Sequence, residues 1–451
     1  MKTTRRIATP FLIVASSLLV ACGGGSDNGG SNNSGGTGNA GSNDTVTLSA
    51  TVIHPTVCNT QVPATNAELV VYDNNWAIKS RHTPDATGKI NAVIPKTDFV
   101  NISLITNDGE GSARRISVNT FTQHPVGDLG IFQTADVSAD GCECQTTNLT
   151  VTTGQWLEYP PQLIGYNSNK AIAPHNTFFN SYEFNNVEIC RVAGGNWPTL
   201  YAATHWSETP RTAGYLSNYD PSDELVIDLE YSPTTYSANF DPAASSTSVM
   251  HHFGDAYISY SAPGSSSDIE LFDNFPDFNA VSLRVYDSYS NYYENIEVRQ
   301  GRTQRYTVAA PYSSTVSVTL PDSEEQEKLM QAMLAWLSSD SNNYDLSNIN
   351  NFETFFATLT ATLTDGSSYT QTFYGPNRGV IPENVLPTDY GVEALLNEES
   401  LTFYFSMIRY GERQSYQQYL ASSVTTSRLT LTERLLGNRS QYSSIFVDIS
   451  Q

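Results

Sequence analysis

Thr45-Val46-Thr47-Leu48-Ser49-Ala50-Thr51-Val52-Ile53 alternates polar and apolar side chains as far as Val52. A period of two marks a strand with one buried face, because successive side chains leave an extended chain on opposite sides. Similar stretches follow at 67–73, 89–94 and 100–105, with Asp85-Ala86-Thr87-Gly88 and Asn107-Asp108-Gly109 as turns between them. Farther on, 148–151, 182–192, 225–231, 256–260, 280–287, 295–299, 305–309 and 315–320 read as strands, the later ones recurring every ten or so residues. Residues 356–363 and 369–374 form a hairpin about Asp365-Gly366, and 401–410, 427–432 and 445–449 add further strands. The class is mostly β.

One segment breaks the pattern. Asp322-Ser323-Glu324-Glu325-Gln326 offers an N-cap and an acidic first turn, after which Leu329, Met330, Met333, Leu334, Trp336 and Leu337 share one face at helical spacing. An amphipathic helix is expected near 322–338, its stripe a packing face. Composition bounds function more weakly: 23 Lys and Arg stand against 46 Asp and Glu, a formal net charge of −23. That balance argues against nucleic acid or anionic lipid headgroups as partners of a basic surface, and suits a solvated acidic exterior.

The first residues read as an export signal. Lys2, Arg5 and Arg6 form a positive n-region, and 11–21 an apolar run too short to span a bilayer comfortably. Leu19-Val20-Ala21-Cys22 resembles the lipobox of bacterial lipoproteins. The resemblance implies that Cys22 is lipidated and becomes the mature N-terminus, so that the membrane is a partner through the N-terminal lipid. Gly23 stands where an Asp would favour inner-membrane retention, which implies sorting to the outer membrane, periplasmic or surface-facing. Loss of the signal lowers 23 cations to 20 and takes the net charge from −23 to −26. Residues 23–44 are Gly, Asn and Ser apart from Asp27, Thr37, Ala40 and Asp44, a composition that cannot bury a core and forms a flexible tether reaching about 25 Å.

Cys58, Cys142, Cys144 and Cys190 remain, an even number that suits two disulfides in an oxidising compartment. Cys142 and Cys144, two residues apart, are each expected to bridge a different distant partner, Cys58 taking one and Cys190 the other. The His residues lack ligand spacing with these cysteines for zinc. Residues 67–71, then Thr83, Asp85, Gly88 and Ile90, then Asp128-Leu129-Gly130, resemble carboxypeptidase-regulatory-like, transthyretin-like Greek-key domains, departing at Asn66 and Pro84. The resemblance covers about a fifth of the chain and implies a non-catalytic β-sandwich with no active site to transfer. The expected architecture is tandem β-sandwiches, Greek-key or Ig-like: signal 1–21, lipidated Cys and tether 22–44, a first sandwich 45–138, one or two more at 139–321, and a β-rich part with the helix at 322–451.

Chemistry is sparse. His251, His252 and Asp255 form the densest group of acid–base or metal-binding types, although adjacent His on a strand face opposite ways. Asp220, Asp223 and Glu224, and Asp273, Asn274, Asp277 and Asn279, crowd oxygen ligands closely enough for Ca²⁺, without the spacing or central Gly of an EF-hand. Trp156, Trp197, Trp206, Tyr292 and Tyr293 offer flat amphipathic rings for stacking on sugars. No Gly-x-Ser-x-Gly, His-Glu-x-x-His, P-loop or dinucleotide fingerprint occurs. The expectation is a lipid-anchored envelope protein, a non-catalytic binding, adhesion or accessory module for an envelope protein or glycan. An anchored hydrolase of polysaccharide or peptide is the alternative, and a structural spacer the third reading.

Overall fold

The computed structural model describes residues 44–450 except 165–173, 175, 179, 206, 209, 254–255, 262–267, 294–295, 313–314, 340, 383–384, 397–399, 412–414 and 438. Cys22, the signal and the tether lie outside the described residues, as do Asp255, Trp206 and the side chain of Tyr293. Among the described residues no helix is long and apolar enough to cross a membrane.

The chain is mostly β, built as tandem sandwiches. Strand Thr45–Pro55 buries Leu48, Ala50 and Val52, as its alternation requires, and pairs with Gln61–Pro63, Lys89–Pro95 and, in parallel, Asp128–Gln133. Its apolar face meets Leu69, Val71, Ile102 and Leu104 of a second sheet to close the first core. Cys58, just beyond the first strand, bonds to Cys142 at the head of strand Cys142–Thr153. The next strand, Ser181–Val192, places Cys190 directly across from Cys144, and these two are also joined. The Cys58–Cys142 bond thus fastens the first sandwich to a second one, within whose sheet Cys144–Cys190 lies and whose core holds Leu149, Val151, Phe184, Ile189, Leu200 and Ile227.

A twelve-stranded sheet runs through the molecule. In chain order its strands are β1 (Ala67–Tyr72), β2 (Ile78–His82), β3 (Phe99–Asp108), β4 (Arg115–Pro125), β5 (Ser246–Phe253), β6 (Ala256–Ser261), β7 (Phe278–Tyr293), β8 (Ile296–Ala309), β9 (Thr354–Thr362), β10 (Ser368–Pro376), β11 (Thr402–Tyr410) and β12 (Gln441–Ser450). Their spatial order is β6-β5-β7-β8-β12-β11-β9-β10-β4-β3-β1-β2. Segments 45–138, 139–321 and 322–451 therefore each contribute strands to one hydrogen-bonded surface. At one end β5 and β7 pack on strands Thr234–Phe240, Asp268–Leu271 and Val316–Val318 through Phe240, Val249, Leu271, Val281 and Leu283.

Two local expectations are corrected. Residues 280–287 and, of the expected 295–299 and 305–309, the described 296–299 and 305–309 belong to two long strands, β7 and β8, paired from Ala280–Ala309 to Tyr293–Ile296. Polar side chains did not end these strands, because β5 and β12 flank the pair and one face of it opens to solvent. Residues 427–432 are not a strand. Helix α1 (Ser323–Leu337) is followed by α2 (Tyr416–Thr426) and α3 (Leu431–Leu436); Ser427 caps the C-terminus of α2 and Thr430 the N-terminus of α3. Capping boxes at Ser415/Gln418 and Thr430/Glu433 start the two helices. At Gly130, with φ +91°, a Cβ would lie 3.1 Å from Val424 Cα, so α2 rests directly on the first sandwich there.

Helix α1 forms where expected, with the Asp322 side chain accepting from Glu324 N. It lays Leu329, Met333 and Leu337 on Val298, Phe405, Met407, Ile445 and Val447. Its buried Glu325 accepts from Asn350 Nδ2 and from Lys328 Nζ, so the carboxylate is not left unpaired under the helix.

Candidate functional site

The opposite face of the same strands has a different chemistry. On β8, Val298 turns toward α1, while Arg299, Gly301, Thr303 and Arg305 turn away from it. Register sets Arg284 and Tyr286 of β7 across from Arg305 and Thr303. On the other side Tyr442, Ser444 and Phe446 of β12 lie across from Arg305, Thr303 and Gly301, and Tyr410 of β11 across from Tyr442. With Met250 and Tyr404 these side chains line a groove of about 540 Å³.

Gly301 shapes its floor. A Cβ there would lie 2.6 Å from both Phe446 Cζ and Asp287 O, so only glycine lets the Phe446 ring cross β8. Phe446 then stacks on Tyr286 at 6.1 Å and on Tyr404 at 5.5 Å. The row of rings continues through Phe356, Tyr374 and Phe121 at 5.7, 6.1 and 4.8 Å.

Three guanidiniums sit against three tyrosine rings. Arg284 lies over Tyr286, Arg305 over Tyr442 and Arg439 over Tyr410, at 5.4, 5.5 and 5.1 Å. Arg299, which also lines the groove, is paired with Asp448, and elsewhere Arg81, Arg191, Arg211, Arg302 and Arg428 each reach a carboxylate. Arg284, Arg305 and Arg439 reach none among the described residues. Arg305 donates to Arg439 O at 3.3 Å, while its buried Nε finds no acceptor among the described residues. Burial, with repulsion from Arg439 and Arg284, pulls the Arg305 pKa below its ordinary value. Burial also holds the Tyr404 and Tyr442 phenols above theirs, so both stay neutral donors at physiological pH. The described lining contains no carboxylate of Asp or Glu, no imidazole and no thiol. The arrangement can hold an anion and hydrogen-bond to hydroxyls.

The residues singled out from sequence lie elsewhere. His251 is fully buried among Phe253, Tyr260, Phe272 and Phe278, whereas His252, on the groove side of β5, hydrogen-bonds through Nε2 to Ser282 Oγ at 2.9 Å. Burial lowers their pKa values to about 3 and about 4. Both are neutral at pH 7. Asp220, Asp223 and Glu224 are exposed on a turn, where Asp220 Oδ1 accepts from Ser222 N and Oγ, bonds that lower its pKa. Asp273 and Asp277 diverge, the first accepting from Thr234 and Tyr236, the second from Tyr201. Neither Ca²⁺ loop gathers its ligands. Among the described residues the one convergent group of three metal-ligand types is Cys144, Glu188 and Cys190, whose two sulfurs are already joined. Trp156 and Tyr292 are exposed, Trp197 lies under Arg191, and no ring contact joins these three among the described residues.

Sequence reasoning did not single out the groove. Its lining spans residues 250 to 446, and the one local signal was the alternation Arg299-x-Gly301-x-Thr303-x-Arg305. No family model and no curated protein matches the chain. Among solved structures, one titled "Structure of the Streptococcal ancillary pilin" aligns at 8% identity over 62% of this chain and 99% of that one, with a TM-score of 0.13. A likeness that faint carries no argument.

Proposed function

We propose that this chain is a lipid-anchored, non-catalytic binding module of a bacterial outer envelope that takes its ligand in the arginine–tyrosine groove. The supporting observation is the pair of groove-lining guanidiniums, Arg284 and Arg305, that reach no carboxylate among the described residues, with Arg439 beside Arg305, in a chain where acids outnumber bases 46 to 23. Like charges directly across a strand pair destabilise a sheet, and Arg284 lies opposite Arg305. An anionic ligand would relieve that cost. The anchor rests on the order of n-region, apolar run and Cys22, and the 22-residue tether would hold the sandwiches clear of the membrane.

The test displays the full chain, solubilised in detergent, on a broad glycan array beside Arg305→Gln and Tyr404→Ala. The expected result is a set of retained glycans lost in both variants. Unchanged retention by both would overturn the groove as the binding site. Fractionation of cells carrying Cys22→Ala tests the anchor: the protein is expected to leave the membrane fraction, and its staying there would sink lipidation at Cys22.

A further inference from the structure

We infer that the groove's ligand is an acidic saccharide, its carboxylate or sulfate held between Arg284 and Arg305; this rests on the reading of the groove as a binding site. A guanidinium presents a planar fork of donors that matches such anions two bonds at a time. Arg284 and Arg305 present two forks from directly opposed positions, with Arg439 beside the second.

A bare inorganic anion would leave most of the groove empty, since about 540 Å³ matches pockets for organic molecules. Beside Met250, Phe446 and the Asp448-paired Arg299, the lining offers the hydroxyls of Thr303, Ser444, Tyr404, Tyr410 and Tyr442. Neutral hydroxyls suit a polyol, which gives and takes hydrogen bonds at the same atoms. Beyond Phe446, half-buried Tyr404 and Phe356 extend an apolar row away from Arg284 and Arg305, where the faces of further sugar rings can lie. The acidic remainder of the chain does not forbid an acidic ligand, because fields beyond about 8 Å are screened at physiological ionic strength.

The experiment is isothermal titration calorimetry on the full chain in detergent, with four probes: trigalacturonate, its methyl ester, a sulfated trisaccharide and a ten-residue oligothymidylate. Trigalacturonate or the sulfated probe is expected to bind, and their ranking identifies the preferred anion. The methyl ester is expected to bind at least tenfold more weakly. Arg284→Gln, an exposed substitution, and Arg305→Lys, which keeps the charge but loses the fork, are each expected to weaken the acidic probe at least tenfold, with melting temperatures showing that both variants fold. Equal binding of ester and acid, equal binding of the oligonucleotide, indifference to both variants, or no binding of either acidic probe at millimolar concentration would each overturn the acidic-saccharide assignment. Array ligands that are neutral and still lost in Arg305→Gln would leave the groove as a binding site while removing this ligand class. An array unaffected by either groove variant would remove both.

Discussion

The two faces of the large sheet are built from the same strands and differ in what they meet. Tyr404 and Phe405 are neighbours on β11, yet Phe405 is buried against Trp336 of α1 while Tyr404 stacks on Phe446 in the groove. Where α1 meets the sheet the contacts are aliphatic or aromatic, and shape decides. Across the sheet, the groove keeps charges and hydroxyls at a cost in folding energy. One face holds the molecule together; the other is free to carry chemistry.

The largest contrast comes from truncating each neighbour. Phe405→Ala should cost about 3–5 kcal/mol, as large-to-small changes in a closed core do. Tyr404→Ala, from a half-buried site, should cost about 1–2 kcal/mol. Urea unfolding of the two variants measures both, and equal losses would erase the distinction between the faces. Acid comes next. His252 has its folded pKa lowered to about 4, against about 6.5 when unfolded, so the unfolded chain binds the proton first. The stability held by keeping it neutral is full above about pH 6.5 and drains as pH falls toward 4. The loss should be about 2–3 kcal/mol for this group. His252→Gln should flatten the stability curve between pH 6.5 and pH 4; an unchanged slope would mean that His252 is not held neutral.

These expectations bear on what the sequence could reveal. Alternation located most strands, and Asp322 with the Leu329/Met333/Leu337 spacing located α1, because both signals are local. The β7–β8 hairpin was cut into pieces because Ser and Tyr at 286–293 look like turn residues until flanking strands satisfy their backbone. The helices at 416–436 were hidden by a β-rich reading of Thr and Ser, although Ser415-x-x-Gln418 and Thr430-x-x-Glu433 announced both N-termini. The groove was not legible at all. It exists only once register places residue 284 opposite 305, and 305 opposite 442. The acids of the two Ca²⁺ candidates are close in sequence, while in the fold Asp220 serves a turn and Asp273 and Asp277 make separate hydrogen bonds.

Smaller effects sharpen the comparison further. Gly301→Ala adds one methyl group where Phe446 and Asp287 leave no space, and should cost about 1–3 kcal/mol while displacing the Phe446 ring from Tyr286. Unfolding and calorimetry on this variant should show stability and acidic-probe binding falling together. Arg284→Gln should do the opposite, leaving stability within about 0.5 kcal/mol of the parent, or slightly above it, because a like-charge pair is removed. A clear loss of stability there would show that Arg284 supports the fold rather than waiting for a ligand.

The position of β12 has a consequence for how the protein comes to exist. Residues 441–450 enter the sheet between β8 and β11, at its middle rather than its rim. Until they do, the chain holds two part-sheets of four and seven strands, each with an open edge ready to pair with the wrong neighbour. Closure brings residue 297 to residue 450, a contact of long sequence separation and thus slow to form. A ribosome that has delivered the chain only as far as residue 440 has delivered two sticky halves, and residues 441–450 decide whether they become one protein.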